Sequence, residues 1–381
     1  MVAIKGRKTS SKNPPILSHE FVIQNHADIV SCVAMVFVVG LMVQVTSPWA
    51  YTFIALNHNV SSVINDDGSL PPQPIKYTTG WKDACAVFFY FLITIVMHAV
   101  IQEYIFDKLC KRYRLSKSKM SKFNESNQLL VFYAISFIWG CDIIYRDNLW
   151  SIMVDNVYPI PMSFSLKLYF IGQLAYWLHC YPELYFQRAK KEEMPRKIYL
   201  ATLGLIFVLA AYIMNFQQIG VMLLTAHYAS EALLHYSKLV HFSDRKDSVA
   251  NLTYTCSKCV FLAARLIISF LAGFYFIAHL GGAKGEFNIA EGNFNIAPLR
   301  IAASFIVAFF QTYMIYTFYK FEKKRFGEIE VPVTKPKVVK QKPKKKEVIK
   351  KAASSEDDDA DSDQARRKSL RARASTAKGT K

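Results

Sequence analysis

Eight apolar runs, each about 17–25 residues long, constrain this chain more than any other feature. A helix rises 1.5 Å per residue, so roughly 20 residues cross the ~30 Å of hydrocarbon in a bilayer. The runs cover roughly residues 28–47, 83–105, 128–146, 163–186, 197–214, 219–241, 258–280 and 297–321. A soluble domain alternates shorter apolar segments with turns; with 52% hydrophobic residues grouped this way, the chain reads as a polytopic membrane protein. No small-residue cleavage site follows the first run, which is therefore expected to remain as an anchor.

The loops give an orientation. Segment 106–127 carries seven basic residues and segment 187–197 five, whereas 48–82 has two, 147–162 none and 281–296 one. The positive-inside rule then places both termini in the cytosol, which an even number of spans requires. Asn59-Val60-Ser61 becomes a lumenal glycosylation sequon, and the sequons at Asn124 and Asn251 fall on the cytosolic side.

The apolar runs contain ionisable residues. In Thr225–His235, His227, Glu231 and His235 are spaced i, i+4, i+8 and project from one helix face. His179 and Glu183 repeat that spacing around Pro182, as do His98 and Gln102, with Glu103 following. Arg265 and Gln311 lie in the last two runs. A charge at bilayer depth costs roughly 2.5–3.5 kcal/mol on insertion scales, so these groups are expected to face protein or a wet cavity. At 1.5 Å per residue, His98 and His179 stand roughly 22 Å from the lumenal end, so the polar groups gather in the cytosolic half. An intramembrane polar groove of His98, Glu103, His179, Glu183, His227, Glu231, His235, Arg265 and Gln311 is one reading; interhelical hydrogen bonding is the other. Bundle metal sites use Glu-x-x-His pairs, and the order here is His-x-x-x-Glu, so no metal, cofactor or catalytic residue is expected.

The ends are different material. Ser18 can cap a short helix through Asn25 that could lie on the membrane surface. From Glu322 onward there are nineteen basic and ten acidic residues, half of the chain's +18 excess. This tail is too polar to fold alone; it is expected to be disordered, with ribosomal RNA or anionic lipid as partners and Ser369, after three basic residues, as a phosphorylation candidate. The seven cysteines, Cys256-Ser-Lys-Cys259 included, read as small core residues without a disulfide framework.

Several stretches carry a family resemblance: Leu17–Phe37, His98–Tyr104, Ser121–Ser126, Gln173–His179 and Gly292–Asn295. Through them the chain resembles the translocating-chain-associated membrane proteins of the endoplasmic reticulum. Segment 117–326 also resembles the six-span TLC domain shared with ceramide synthases. The implied fold is all-α: a bundle of about eight transmembrane helices, with a TLC-type six-helix core, two N-terminal spans and a disordered basic tail. The implied domains are 1–27, a cytosolic segment; 28–116, two spans with a lumenal loop; 117–326, the TLC domain; and 327–381, the tail. Ceramide synthases carry a His-His pair followed by Leu-His-Asp-x-x-Asp. Here the first position reads Ile198-Tyr199, and the second reads Ala226-His227-Tyr228-Ala229-Ser230-Glu231. Acyl transfer needs a base beside the nucleophile, so the loss of the pair argues against an enzyme.

The resemblance implies an accessory of the Sec-type protein-conducting channel. It would contact signal sequences and transmembrane segments of nascent chains within the membrane lipids. The alternatives are a TLC-type lipid enzyme and a lipid carrier or scramblase using the polar groove. Asn59→Gln is expected to remove the glycan and return the protein to its unmodified gel mobility; a glycan that survives on Asn124 or Asn251 overturns the orientation.

Overall fold

The computed structural model describes residue 15 and residues 18–60, 75–113, 117–152, 158–243, 247–283, 287–290 and 292–330. The chain divides into two units, Met1–Arg325 and Phe326–Lys381. The expected tail begins at residue 327, but residues 327–330 continue the last helix; the rest, with Ser369, lies outside the described residues.

Nine helices organise the described part: α1 His19–Gly40, α2 Ser47–Ile54, α3 Asp83–Tyr113, α4 Lys117–Arg146, α5 Phe164–Phe186, α6 Met194–Ile213, α7 Gln217–Phe242, α8 Asp247–Gly282 and α9 Ala297–Glu330. No strand occurs among the described residues, only isolated bridges. Sequence explains the ends. The Ser18 and Ser163 hydroxyls accept from Phe21 and Leu166 N–H at 3.2 Å, capping α1 and α5. Pro48 and Pro195 stand in the first turns of α2 and α6, where a missing N–H is harmless.

The first apolar run belongs to one helix, but with shifted ends. Helix α1 starts nine residues earlier than expected, is kinked at Asn25 (φ −117°, ψ 18°) and stops at Gly40. Residues 41–46 form a turn in which Thr46 donates to Gly40 O at 2.8 Å, and α2 follows it. Two other helices contain π-helical turns, Gln102–Phe106 in α3 and Phe274–His279 in α8.

Among the described residues, six helices are long and apolar enough to cross a membrane: α1, α3, α4, α6, α8 and α9. The other two expected spans, α5 and α7, have 23 and 26 residues, so length does not set them apart. Their composition does, and so does their place. Gln217–Thr225 of α7 are all buried, as are Leu166, Lys167, Tyr169, Phe170, Ile171 and Gln173 of α5. Outer helices show the reverse: α9 exposes Ile301, Phe305, Ile306 and Phe309. Helices shielded by protein tolerate the polar groups that a lipid-facing helix cannot. Close approach is built in at Gly140 of α4, where a Cβ would stand 2.1 Å from Thr225 Oγ1 of α7.

A buried ion pair ties the start of α3 to the start of α5. Lys167 Nζ lies 2.8 Å from Asp83 Oδ1 and donates to Asn57 O and Thr78 O, each at 2.7 Å. Asp83 Oδ2 accepts from Tyr212 Oη of α6 at 2.8 Å and from Gly80 N at 2.9 Å. Nearby, burial holds the His58 imidazole below its ordinary pKa, and its Nε2 accepts the Lys82 N–H at 3.3 Å. Removing one partner of such a pair leaves the other charge buried and uncompensated. Lys167→Met is expected to destabilise the protein by about 3–5 kcal/mol, and Tyr212→Phe, which removes one hydrogen bond, by about 1 kcal/mol. Unfolding of the detergent-solubilised protein checks both values and their order.

Candidate functional site

The nine residues expected to line one groove occupy separate places. His98 of α3 meets His179 and Glu183 of α5. His98 Nδ1 is 2.9 Å from His179 Nε2, and His98 Nε2 is 3.3 Å from Glu183 Oε1. The His179 Nδ1–H donates to Tyr176 O at 2.5 Å. An amide chain continues outward: Gln187 donates to Gln128 (3.2 Å), Gln128 to Gln102 (2.8 Å) and Gln102 to Asp107 (2.6 Å). Glu103, on the π-helical turn, is exposed and stands outside this group.

The second group centres on Arg265 of α8, which is 1% exposed. Its guanidinium donates to Ser230 Oγ (2.6 Å) and His227 Nδ1 (3.0 Å) of α7, and to Gln311 Oε1 (3.1 Å) of α9. One cation thereby joins three helices. Glu231 is half-buried on the same helix as His227, and the His235 ring lies 5.7 Å from Tyr133. Between the two groups stand aromatic rings: Phe132 stacks on Tyr176 at 3.3 Å, and Tyr228 packs on Phe132 and Tyr133. Tyr228 Oη also donates to Gln173 Oε1 at 2.7 Å, and Gln173 donates to Ser136 at 2.9 Å.

A cleft of about 900 Å³ opens between α3, α5 and α6. Val87, Phe91, Leu174, Leu178, Leu205 and Leu209 make it apolar, and the buried Asp83 with Tyr212 lies at one end. None of the nine expected groove residues lines it. Sequence reasoning missed this cleft and the Lys167–Asp83 pair. A signal for the pair was available: Lys167 is a cation inside an apolar run, and Asp83 begins another. Asn59 is exposed and forms a bridge to Tyr77, which pairs in turn with Met162. Cys256 and Cys259 are exposed on α8.

Residues 122–321 match the TLC domain family, which takes in α4 to α9. The chain is 39% identical over 314 residues to mouse translocating chain-associated membrane protein 2, covering 81% of this chain and 82% of that one. The chain belongs to the translocating chain-associated membrane protein family. The human protein of the same name is 38% identical over the same coverage. Sphingosine N-acyltransferase LAG1 of Saccharomyces cerevisiae is more distant, 22% identical over 178 residues, or 44% of this chain and 42% of that one. Against that enzyme-bearing branch, Ile198 and Tyr199 of this family member stand exposed on α6, and the buried Tyr228 hydroxyl is held by Gln173. His227 is bound by Arg265.

The Arg265 tie gives a mutational test of its own. Arg265→Leu loses the bonds to Ser230, His227 and Gln311 and a weaker one to Met314 Sδ, at about 0.6 kcal/mol each, so roughly 2 kcal/mol is expected. Arg265→Lys keeps the charge but not the fork, and should fall between. Equal stability of the leucine variant and wild type in a detergent-unfolding assay would remove Arg265 from the structural framework.

Proposed function

We propose that this chain is an accessory of protein translocation in the endoplasmic reticulum membrane, crossing it eight times with both termini cytosolic. The observation that carries the reading is the 38–39% identity, over four-fifths of each chain, to proteins named for association with translocating chains. In this reading its partners are a Sec-type channel and the signal sequences or transmembrane segments of nascent chains. It performs no acyl transfer, since the positions of the histidine pair hold Ile198 and Tyr199.

The cleft supports a mechanism. Its walls run along α3 and α5 from Asp83 and Lys167 toward His98 and Glu183. The 15 and 16 residues between those positions span roughly 22–24 Å at 1.5 Å per residue, most of the hydrocarbon thickness. An apolar segment leaving the channel packs in such a cleft before it meets lipid. Lowering insertion cost by ~1.4 kcal/mol shifts partitioning tenfold, enough to rescue a weakly hydrophobic signal. An acyl chain would also fit the apolar cleft, which is the observation behind the lipid-carrier reading.

A reconstituted translocation assay at matched protein amounts decides between these. Leu174→Trp, which fills the cleft, is expected to impair weakly hydrophobic clients several-fold more than strongly hydrophobic ones. Photocrosslinks from a stalled weak client should map to α3, α5 or α6 and vanish in the filled variant. Equal defects for both client classes, or lipid flipping in proteoliposomes without client crosslinks, would overturn the proposal.

A further inference from the structure

The His98–His179–Glu183 group brings two imidazoles and a carboxylate together, and one of its contacts needs a bridging charge. A backbone carbonyl only accepts, so the contact to Tyr176 O fixes the proton of His179 on Nδ1 and leaves a lone pair on Nε2. That lone pair faces His98 Nδ1 at 2.9 Å. On the far side of the His98 ring, Gln187 directs its amide N–H toward Nε2 at 3.4 Å, which makes Nε2 an acceptor as well. Yet the Glu183 carboxylate also faces Nε2, at 3.3 Å. A neutral His98 answers His179 with its Nδ1–H, so the contact between Nε2 and Glu183 is the one that pairs two lone pairs, and a proton or a metal cation must bridge it.

We propose that His98, His179 and Glu183 form a binding site for a divalent cation of the zinc type, clipping α3 to α5. Two imidazoles and one carboxylate are the ligand set of many three-residue zinc sites, with a fourth position left for water or an amide oxygen. Zinc bonds of 2.0–2.2 Å at tetrahedral angles separate ligand atoms by about 3.3–3.5 Å. His98 Nε2 and Glu183 Oε1 already stand 3.3 Å apart, and one ligand atom from each residue lies within 4.8 Å of the others. The remaining adjustment falls to His98, half-buried and one turn before a π-helical widening. His179 shows the support that metal-bound histidines have: its other ring nitrogen donates to a carbonyl, which sets the tautomer and the ring plane. Gln187 and Gln128 provide the polar surroundings.

Spacing on one helix hides this site, because two of the donors come from α5 and the third from α3. His98 precedes the residues matched to the TLC domain and His179 lies within them, so the ion joins that domain to the helices before it. The clip is independent of the translocation reading: it can fail while client binding stands, and the reverse.

The test uses the full-length protein in nanodiscs, stripped with chelator and titrated with zinc against a chromogenic competitor. One ion per chain is expected. Glu183→Gln and His98→Asn, both near in shape to the native residues, should weaken uptake by at least about 100-fold, since even outer-shell changes cost 10–100-fold. Cys256→Ser with Cys259→Ser should leave uptake unchanged. Cobalt in place of zinc should give visible bands of a nitrogen–oxygen tetrahedral set without thiolate charge transfer. Zinc should raise the unfolding temperature of wild type and not of the Glu183→Gln variant. X-ray absorption on zinc-loaded wild type, which needs no variant, should show imidazole scattering and no sulfur. Absence of stoichiometric uptake by wild type, which would leave a shared proton as the bridging charge, overturns the proposal. So do uptake that survives Glu183→Gln and a sulfur shell at the metal.

Discussion

Lys167 is wholly buried, and a buried ammonium persists only where its charge and all its protons are answered. Asp83 supplies the charge, and the carbonyls of Asn57 and Thr78 take further protons. Asp83 is itself satisfied by Tyr212 and Gly80. Through these bonds one side chain fixes the start of α3, the start of α5, the end of α6 and the segment leading out of α2. Such a cluster adds little net stability over an apolar one, but it admits one register only. The helices after Asp83 and Lys167 then run parallel and bring His98 to His179 and Glu183 at their far ends. The apolar cleft is the space those two polar contacts hold open against α6.

The same logic explains why the least apolar spans are central. α7 carries Gln217, Gln218, His227, Glu231 and His235, and α5 carries Lys167, Gln173, His179 and Glu183. Each group would be expensive against lipid, and each is covered by protein or hydrogen-bonded across helices. The outer helices keep their apolar faces free, so the bundle is an apolar wall around a polar interior. Arg265 does for α7, α8 and α9 what Lys167 does for α3, α5 and α6.

Much of this was legible in the sequence. Run length located eight long helices because bilayer thickness sets helix length. At the first run it misplaced the ends: α1 begins at His19 and stops at Gly40, where the turn closed by Thr46 takes over. The i, i+4 spacing correctly placed His179 and Glu183 on one face, yet it could not say which helix that face meets. His98 and Gln102 do stay in one network, but Glu103 is left exposed on the π-helical turn, outside it. Grouping all polar residues by depth therefore merged two clusters that Phe132, Tyr133, Tyr176 and Tyr228 hold apart. Depth along a helix is readable from sequence; azimuth relative to a neighbour is decided by packing.

The replacements at the positions shared with acyltransferases fit this division of labour. Where the related enzymes place a histidine pair, Ile198 and Tyr199 turn outward on α6, so that face adds contact area instead of a base. Tyr228 replaces an acid by a phenol whose hydroxyl is consumed by Gln173, and whose ring completes the aromatic layer. His227 survives, but Arg265 holds its ring nitrogen. Ile198 carries no group able to move a proton, and the Tyr228 hydroxyl is tied between helices. The cleft between α3, α5 and α6 and the two polar ties stand apart from these positions, so the cavity does not depend on them. In the function proposed above, that cleft receives an apolar segment and holds it.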